Sequence, residues 1–210
     1  MKKITILASV FLLVLGISGI SNANLITNGG FEDPILSHGT WAVFPGGISG
    51  WYVTGGPGIE IQNHAAGSPF EGDNLVELDS HYASNTNSGM AQDITLVTGQ
   101  SYDLSFYYSP RPNLPSATNE INVFWGNTLL DSITADGSSQ TNWTEYAYIV
   151  TAYAEESTLS FLATGWDDTL GGYLDNVSLT SPVPEPATML LLGTGLLGLA
   201  GIGRKKIFNK

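Results

Sequence analysis

Ser101-Tyr102-Asp103-Leu104-Ser105-Phe106-Tyr107-Tyr108 is the stretch on which the fold turns. In an extended strand, side chains alternate between two faces. Tyr102, Leu104 and Phe106 therefore share one face, and Asp103, Ser105 and Tyr107 the other. Working outward, further strand-length runs appear: Gly50-Trp51-Tyr52-Val53, Asn74 to Leu78, Gln92 to Leu96, Ile121 to Trp125, Tyr146 to Val150, Thr158 to Leu162, and Leu174 to Leu179. Each is bounded by Gly, Pro, Asn, Asp or Ser. The same parity groups Leu159 with Phe161 and Val177 with Leu179. No segment between the two ends of the chain sustains a 3.6-residue apolar period. About eight antiparallel strands without helices must bury their apolar faces sheet against sheet. The expected fold is all-β, a two-sheet antiparallel sandwich.

Charge separates this middle from the ends. Of the 210 residues, seven are Lys or Arg, and six of these lie at the termini: Lys2, Lys3, Arg204, Lys205, Lys206 and Lys210. Residues 24–182 carry 18 carboxylates and one cation, Arg111, for a net charge of -17. Such a surface repels a phosphate backbone, which excludes nucleic acid as a partner. There is no Cys, which rules out disulfides, thiolate metal sites and Cys nucleophiles.

Both ends read as addresses. Lys2 and Lys3 precede an apolar run from Ile4 to Ile20 that closes on Ser21-Asn22-Ala23. This is the layout of a secretory signal peptide, residues 1–23, cut by signal peptidase after Ala23. The same run also allows an uncleaved anchor helix. At the other end, residues 183–210 hold Pro184-Glu185-Pro186, uncharged residues from Ala187 to Ile202, then Arg204-Lys205-Lys206. That apolar stretch is of marginal spanning length, and the positive-inside rule keeps its basic tail cytoplasmic. The expected organisation is a signal helix (1–23), a sandwich domain (24–182) and a membrane-seeking C-terminal helix (183–210).

The tripartite tail resembles the PEP-CTERM sorting signal of Gram-negative bacteria. The resemblance implies recognition by an exosortase, export across the inner membrane with transient anchoring in it, and delivery to the cell surface or extracellular matrix alongside exopolysaccharide. An ordinary C-terminal anchor is the alternative. The middle also bears a resemblance. Its opening Asn24-Leu25-Ile26-Thr27-Asn28-Gly29-Gly30-Phe31-Glu32, then Gly50-Trp51, Tyr102-x-Leu104-x-Phe106 and Leu174-Asp175-Asn176-Val177 look like a galactose-binding-like jelly roll, the fold of many carbohydrate-binding modules.

In those modules a structural Ca²⁺ is held by the Glu of the opening motif and the Asp of the closing one. The resemblance implies the same for Glu32 and Asp175, with the Gly30 carbonyl and the Glu71-Gly72-Asp73 segment as weaker carry-overs. Physical chemistry agrees in kind. Calcium takes six to eight hard oxygen ligands. With one Arg in the domain, clustered carboxylates lack cationic partners, and a divalent ion relieves their repulsion. The alternative is that Glu32 caps a turn and Asp175 sits solvated at a strand end.

Catalysis finds little footing. His38, His64 and His81 read as isolated surface-loop residues, and no nucleophile elbow or Walker loop occurs. Sugar binding needs aromatic platforms ringed by hydrogen-bonding groups. Trp41, Trp51, Tyr52, Tyr107, Trp125 and Trp166 are the rings available for this. Trp41 and Trp166 fall in loop-like sequence and Tyr107 lies opposite the core parity, so these three are the candidates. Trp51, Tyr102, Phe106 and Trp143 are expected in the core. Arg111, between Pro110 and Pro112, either pairs a carboxylate or marks a functional loop over Ser109 to Ala117. The expected function is a non-catalytic surface or matrix protein that contacts extracellular polysaccharide. A purely structural coat component and a secreted glycan-active enzyme are the competing readings.

Overall fold

The computed structural model describes residues 23–81 and 87–182. The signal segment and the sorting tail lie outside the described residues. Eleven strands are present: β1 (Thr40–Phe44), β2 (Tyr52–Gly55), β3 (Ile59–Asn63), β4 (Leu75–Glu77), β5 (Gly89–Thr95), β6 (Ser101–Ser109), β7 (Ile121–Trp125), β8 (Thr128–Ile133), β9 (Thr144–Thr151), β10 (Glu156–Ala163) and β11 (Tyr173–Thr180). They form a six-stranded sheet of order β1-β3-β4-β11-β6-β9 and a five-stranded sheet of order β2-β5-β10-β7-β8. The pairings are antiparallel. The two-sheet sandwich read from the sequence is what forms, and Asn24–Ser181 make one compact unit.

Strand β6 shows why. Tyr102, Leu104, Phe106 and Tyr108 are buried while Ser101 and Asp103 are exposed, so the alternation maps directly onto core and outer face. A turn at Val97–Gln100, with Gly99 in the left-handed region that favours glycine (φ 81), starts the strand. Pro110, lacking an N–H, ends it. Between the sheets, Phe106 meets Phe161 edge-on at 5.1 Å, and Trp51 packs on Phe161 at 6.0 Å. Burying each such ring stabilises the fold by roughly 1.5–3 kcal/mol.

Three strands were not expected. In β1, Trp41 sits on a sheet edge, not in a loop, paired with Gln62 of β3. In β3, all five residues are buried, Glu60 and Gln62 included. The exposed hairpin strand β8 carries Leu129 and Leu130 without a clear alternation. Two placements also differ. Trp143 is half-buried outside the core, because its indole N–H reaches across to the Ser68 carbonyl (3.0 Å). The histidines are not isolated: the rings of His38 and His64 stack at 4.7 Å.

Residues 24–32 dock on β11 and do not form a strand of their own. Val177 N–H donates to Gly29 O (2.9 Å) and Leu25 N–H to Leu179 O (2.8 Å), while the Asn24 amide bridges Val177 and Leu179. A Cβ at Gly29 would lie 2.0 Å from the Val177 carbonyl, whereas one at Gly30 meets only Glu32 Cγ, at 4.0 Å. Gly29→Ala is expected to cost about 1–3 kcal/mol, the usual range for forced overpacking. Gly30→Ala should be nearly neutral. Urea midpoints of the two variants check this, and equal midpoints would contradict it.

Candidate functional site

The docked opening segment delivers Glu32 to the loop Phe70–Asn74. Phe31, at φ 58, turns its ring into the core and releases Glu32 outward. Glu32 Oε1 accepts the N–H groups of Asp73 (2.9 Å) and Asn74 (3.1 Å). The other end of the loop belongs to Asp175, whose Oδ2 accepts from Phe70 N–H (2.8 Å) and Glu71 N–H (3.1 Å), and whose Oδ1 accepts from Asn176 N–H (2.6 Å). At Gly72, φ is 63 and a Cβ would strike the Glu32 carboxylate at 2.2 Å, so the loop closes only around glycine. A β-bulge after Asp175 and a positive φ at Asn176 aim this carboxylate into the loop.

Sequence-nominated Glu32 and Asp175 are thus brought to one loop, and Asp73 enters through its backbone N–H. Asp175 is fully buried. Burial first, and the Glu32 charge in addition, raise its carboxyl to about 7, against the opposing pull of the backbone N–H donors. Among the described residues the ion pair is Arg111–Glu77, so this clasp has no cationic side chain. No third His, Cys, Asp or Glu joins it among the described residues. The residues fit calcium in charge and donor type: two hard carboxylates, one exposed and one buried. They supply two side-chain ligands, and backbone carbonyls and water would have to complete the shell.

The outer face of the six-stranded sheet, away from the core, carries a second constellation. Register places Trp41 beside Gln62, and Glu60 beside Glu77, which in turn pairs with Tyr173. Gln62 Nε2 donates to Glu60 Oε1 (3.0 Å) and to Glu77 Oε2. Arg111 Nη1 donates to both Glu77 oxygens, Gly171 N–H donates to Glu77 Oε1 (2.8 Å), and His81 N–H donates to Glu60 Oε2 (2.6 Å). The Arg111 guanidinium lies 5.9 Å from the Tyr173 ring centre. Burial pushes the Glu77 carboxyl well above the carboxylate range; Arg111 opposes this and Glu60 adds to it. Gln62 Oε1 and the Tyr173 hydroxyl are buried without a hydrogen-bond partner.

Glu60, Glu77 and Tyr173 were not nominated from sequence. The available signal was the alternation Ile59-Glu60-Ile61-Gln62 and a Glu set between Val76 and Leu78. In a domain with one cation, an acid framed by apolar neighbours marks where that cation goes. Arg111 is therefore a carboxylate partner.

The three aromatic candidates are not brought together. Trp41, 46% exposed, stands on edge strand β1 with His81 at 5.0 Å. Tyr107 lies on β6, with three strands between it and β1, and one face of its ring is covered by Phe70 at 3.5 Å. That stack, extended by Trp143 edge-on to Phe70 (6.3 Å), holds down the loop that Asp175 anchors. Trp166, 60% exposed, projects from the loop after β10, fixed through its N–H to Ala117 O (2.9 Å). Of the three, Trp41 alone pairs an open ring with adjacent buried hydrogen-bonding groups.

Residues 182–205 match the PEP-CTERM protein-sorting motif, a span that includes Pro184, Glu185, Pro186, Arg204 and Lys205. The chain carries a PEP-CTERM sorting signal. The PEP-CTERM tail directs export and sorting to the cell surface. The chain is also 30% identical over 174 residues (82% of its length) to a multifunctional-autoprocessing repeats-in-toxin protein of Vibrio cholerae, and 31% identical over 167 residues to its Vibrio vulnificus counterpart. It spans 3% of the length of each. Among solved structures it is similar to TmCBM61 in complex with β-1,4-galactotriose (16% identity, TM-score 0.48, covering 76% of this chain and 99% of that one). A CBM35 from Paenibacillus barcinonensis aligns at 22% identity and TM-score 0.41 (68% and 99%). The K2 adhesin domain of Lys-gingipain aligns at 15% and 0.49 (77% and 99%).

Proposed function

We propose that this PEP-CTERM protein is a non-catalytic component of the cell surface or extracellular matrix that holds exopolysaccharide on the outer face of its six-stranded sheet, with Ca²⁺ clasping Glu32 and Asp175. Signal peptidase and an exosortase process its two ends, and the apolar C-terminal stretch lodges in the membrane of a Gram-negative cell in between. The observation that carries the binding reading is the Trp41 ring, held open beside His81 on the same sheet face as Gln62. An exposed indole stacks on the apolar face of a sugar, and the exposed His81 beside it offers a hydrogen-bonding ring. The net charge of -17 over residues 24–182 favours neutral over acidic glycans.

Affinity electrophoresis of the purified protein through gels containing neutral polysaccharides tests this. Retardation should fall roughly tenfold in Trp41→Ala, the loss of one stacking platform. Retardation by no glycan would favour a coat component without sugar binding. Release of reducing ends, abolished by one carboxylate substitution, would make it an enzyme.

A further inference from the structure

A groove lies apart from the outer face of the six-stranded sheet, where the β7–β8 and β9–β10 turns meet. It has a volume of about 510 Å³ and is lined by Trp125, Asn127, Thr128, Thr151, Tyr153 and Thr158, with Gly126 at its floor. That volume falls within the ~300–1,000 Å³ typical of small-molecule sites. We propose that this groove is a second, independent binding site, and that its ligand is a short neutral oligosaccharide.

The platform is Tyr153, whose ring is 52% exposed yet fixed on three sides. Its hydroxyl accepts the Thr158 N–H (2.9 Å), and its ring stands edge-on to Trp125 at 6.3 Å and 80°. Beneath it, Gly126 (φ 57) leaves the room the ring occupies, since a Cβ there would lie 2.7 Å from Tyr153 Cε1. Trp125 is itself locked by donating its indole N–H to Thr151 O (2.8 Å). Gly126 N–H donates to Thr158 O (2.8 Å), which ties the β7–β8 turn to β10. A ring already held in place loses no rotamer freedom when a ligand stacks on it, so its contact converts into affinity.

The walls select the ligand. None of the lining side chains is charged, so an anion finds no partner there. The Thr128 and Thr151 hydroxyls and the Asn127 amide both donate and accept, and the Thr158 hydroxyl, which donates to Asp93, accepts; this mix matches the hydroxyls of a sugar. At the rim, Asp93 Oδ1 already receives Thr158 Oγ1 (2.7 Å) and the Tyr52 hydroxyl (3.1 Å), which orients the Thr158 hydroxyl toward that acceptor. An aromatic face with a ring of uncharged hydrogen-bonding groups is complementary to a pyranose, with its C–H face and equatorial hydroxyls.

The test reads the indole N–H resonances of the ¹⁵N-labelled protein, with the Trp125 signal assigned by Trp125→Phe. Cellotriose, maltotriose and β-1,4-galactotriose are titrated in separately. At least one should move the Trp125 resonance saturably, and that response should persist in Trp41→Ala, whatever the fate of the site proposed above. Tyr153→Ala should weaken it roughly tenfold. If Tyr153→Ala loses its indole dispersion and fails to fold, Asn127→Ala on the exposed turn serves, with an expected weakening of about fivefold for one lost hydrogen bond. The proposal is overturned if no probe moves the Trp125 signal. It is equally overturned if the response vanishes in Trp41→Ala, or survives intact in both groove variants.

Discussion

Arg111→Ala should lower the unfolding free energy by about 3–5 kcal/mol, the usual cost of removing one partner from a buried ion pair. Glu77 is fully buried, and its side chain has no route to water, whereas the Arg111 side chain keeps 19% of its surface exposed. The loss is therefore asymmetric. In Glu77→Gln the guanidinium can turn outward, so that variant should cost clearly less than Arg111→Ala. The arginine variant should also be less damaged in acid. Its Glu77 prefers the neutral form in the fold, so the associated stability is present at low pH and lost as pH rises. Urea titrations at pH 5 and pH 8 measure both effects. Equal losses for the two substitutions, or a loss independent of pH, would show that the pair is not the buried one described above.

Chelation is expected to have the second large effect, through the calcium proposed at Glu32 and Asp175. At a free concentration a hundredfold above the dissociation constant, a bound ion stabilises the fold by about 2.7 kcal/mol. The melting temperature should fall on chelation, and Asp175→Asn should abolish that response. The pH dependence follows from Asp175. Its folded-state value of about 7 lies above the ordinary 3.8. The native state thus binds more protons than the unfolded chain between those values, and stability falls as pH rises from about 4 to about 7. Calcium reverses the trend by favouring the ionised form. In chelator, the wild type should lose stability across this window relative to Asp175→Asn, which has no proton to give up there. With calcium present, that relative loss should disappear. An unchanged melting temperature after complete metal removal would leave Glu32 and Asp175 as loop caps and nothing more.

Much of the candidate site was legible because it is written in contiguous residues. The Asn-Gly-Gly-Phe-Glu opening and the Leu-Asp-Asn-Val closing each bring one carboxylate, and their meeting follows from an opening segment that docks on the last strand. The polar row on the outer face was not legible. Glu60, Glu77 and Tyr173 come from three strands whose adjacency depends on the order β3-β4-β11. Trp41 read as a loop residue because the short edge strand β1 is surrounded by Gly, Ser and Pro, and only its pairing with β3 makes it a strand. Trp125 ends β7 and Tyr153 lies in the connection between β9 and β10, which belong to different sheets, and nothing in their local sequence announces that they share a groove.

Alternation of apolar and polar residues by itself determined the all-β sandwich, the inward face of β6 and the absence of helices among the described residues, because the direction of a side chain from a strand is a local property of the backbone. The sorting tail was likewise fixed by order and composition alone. Which outward-facing residues become neighbours was decided only by tertiary structure. Strand order is set by the summed burial of the whole chain, and it placed two glutamates and the lone arginine of residues 24–182 side by side beneath covering loops.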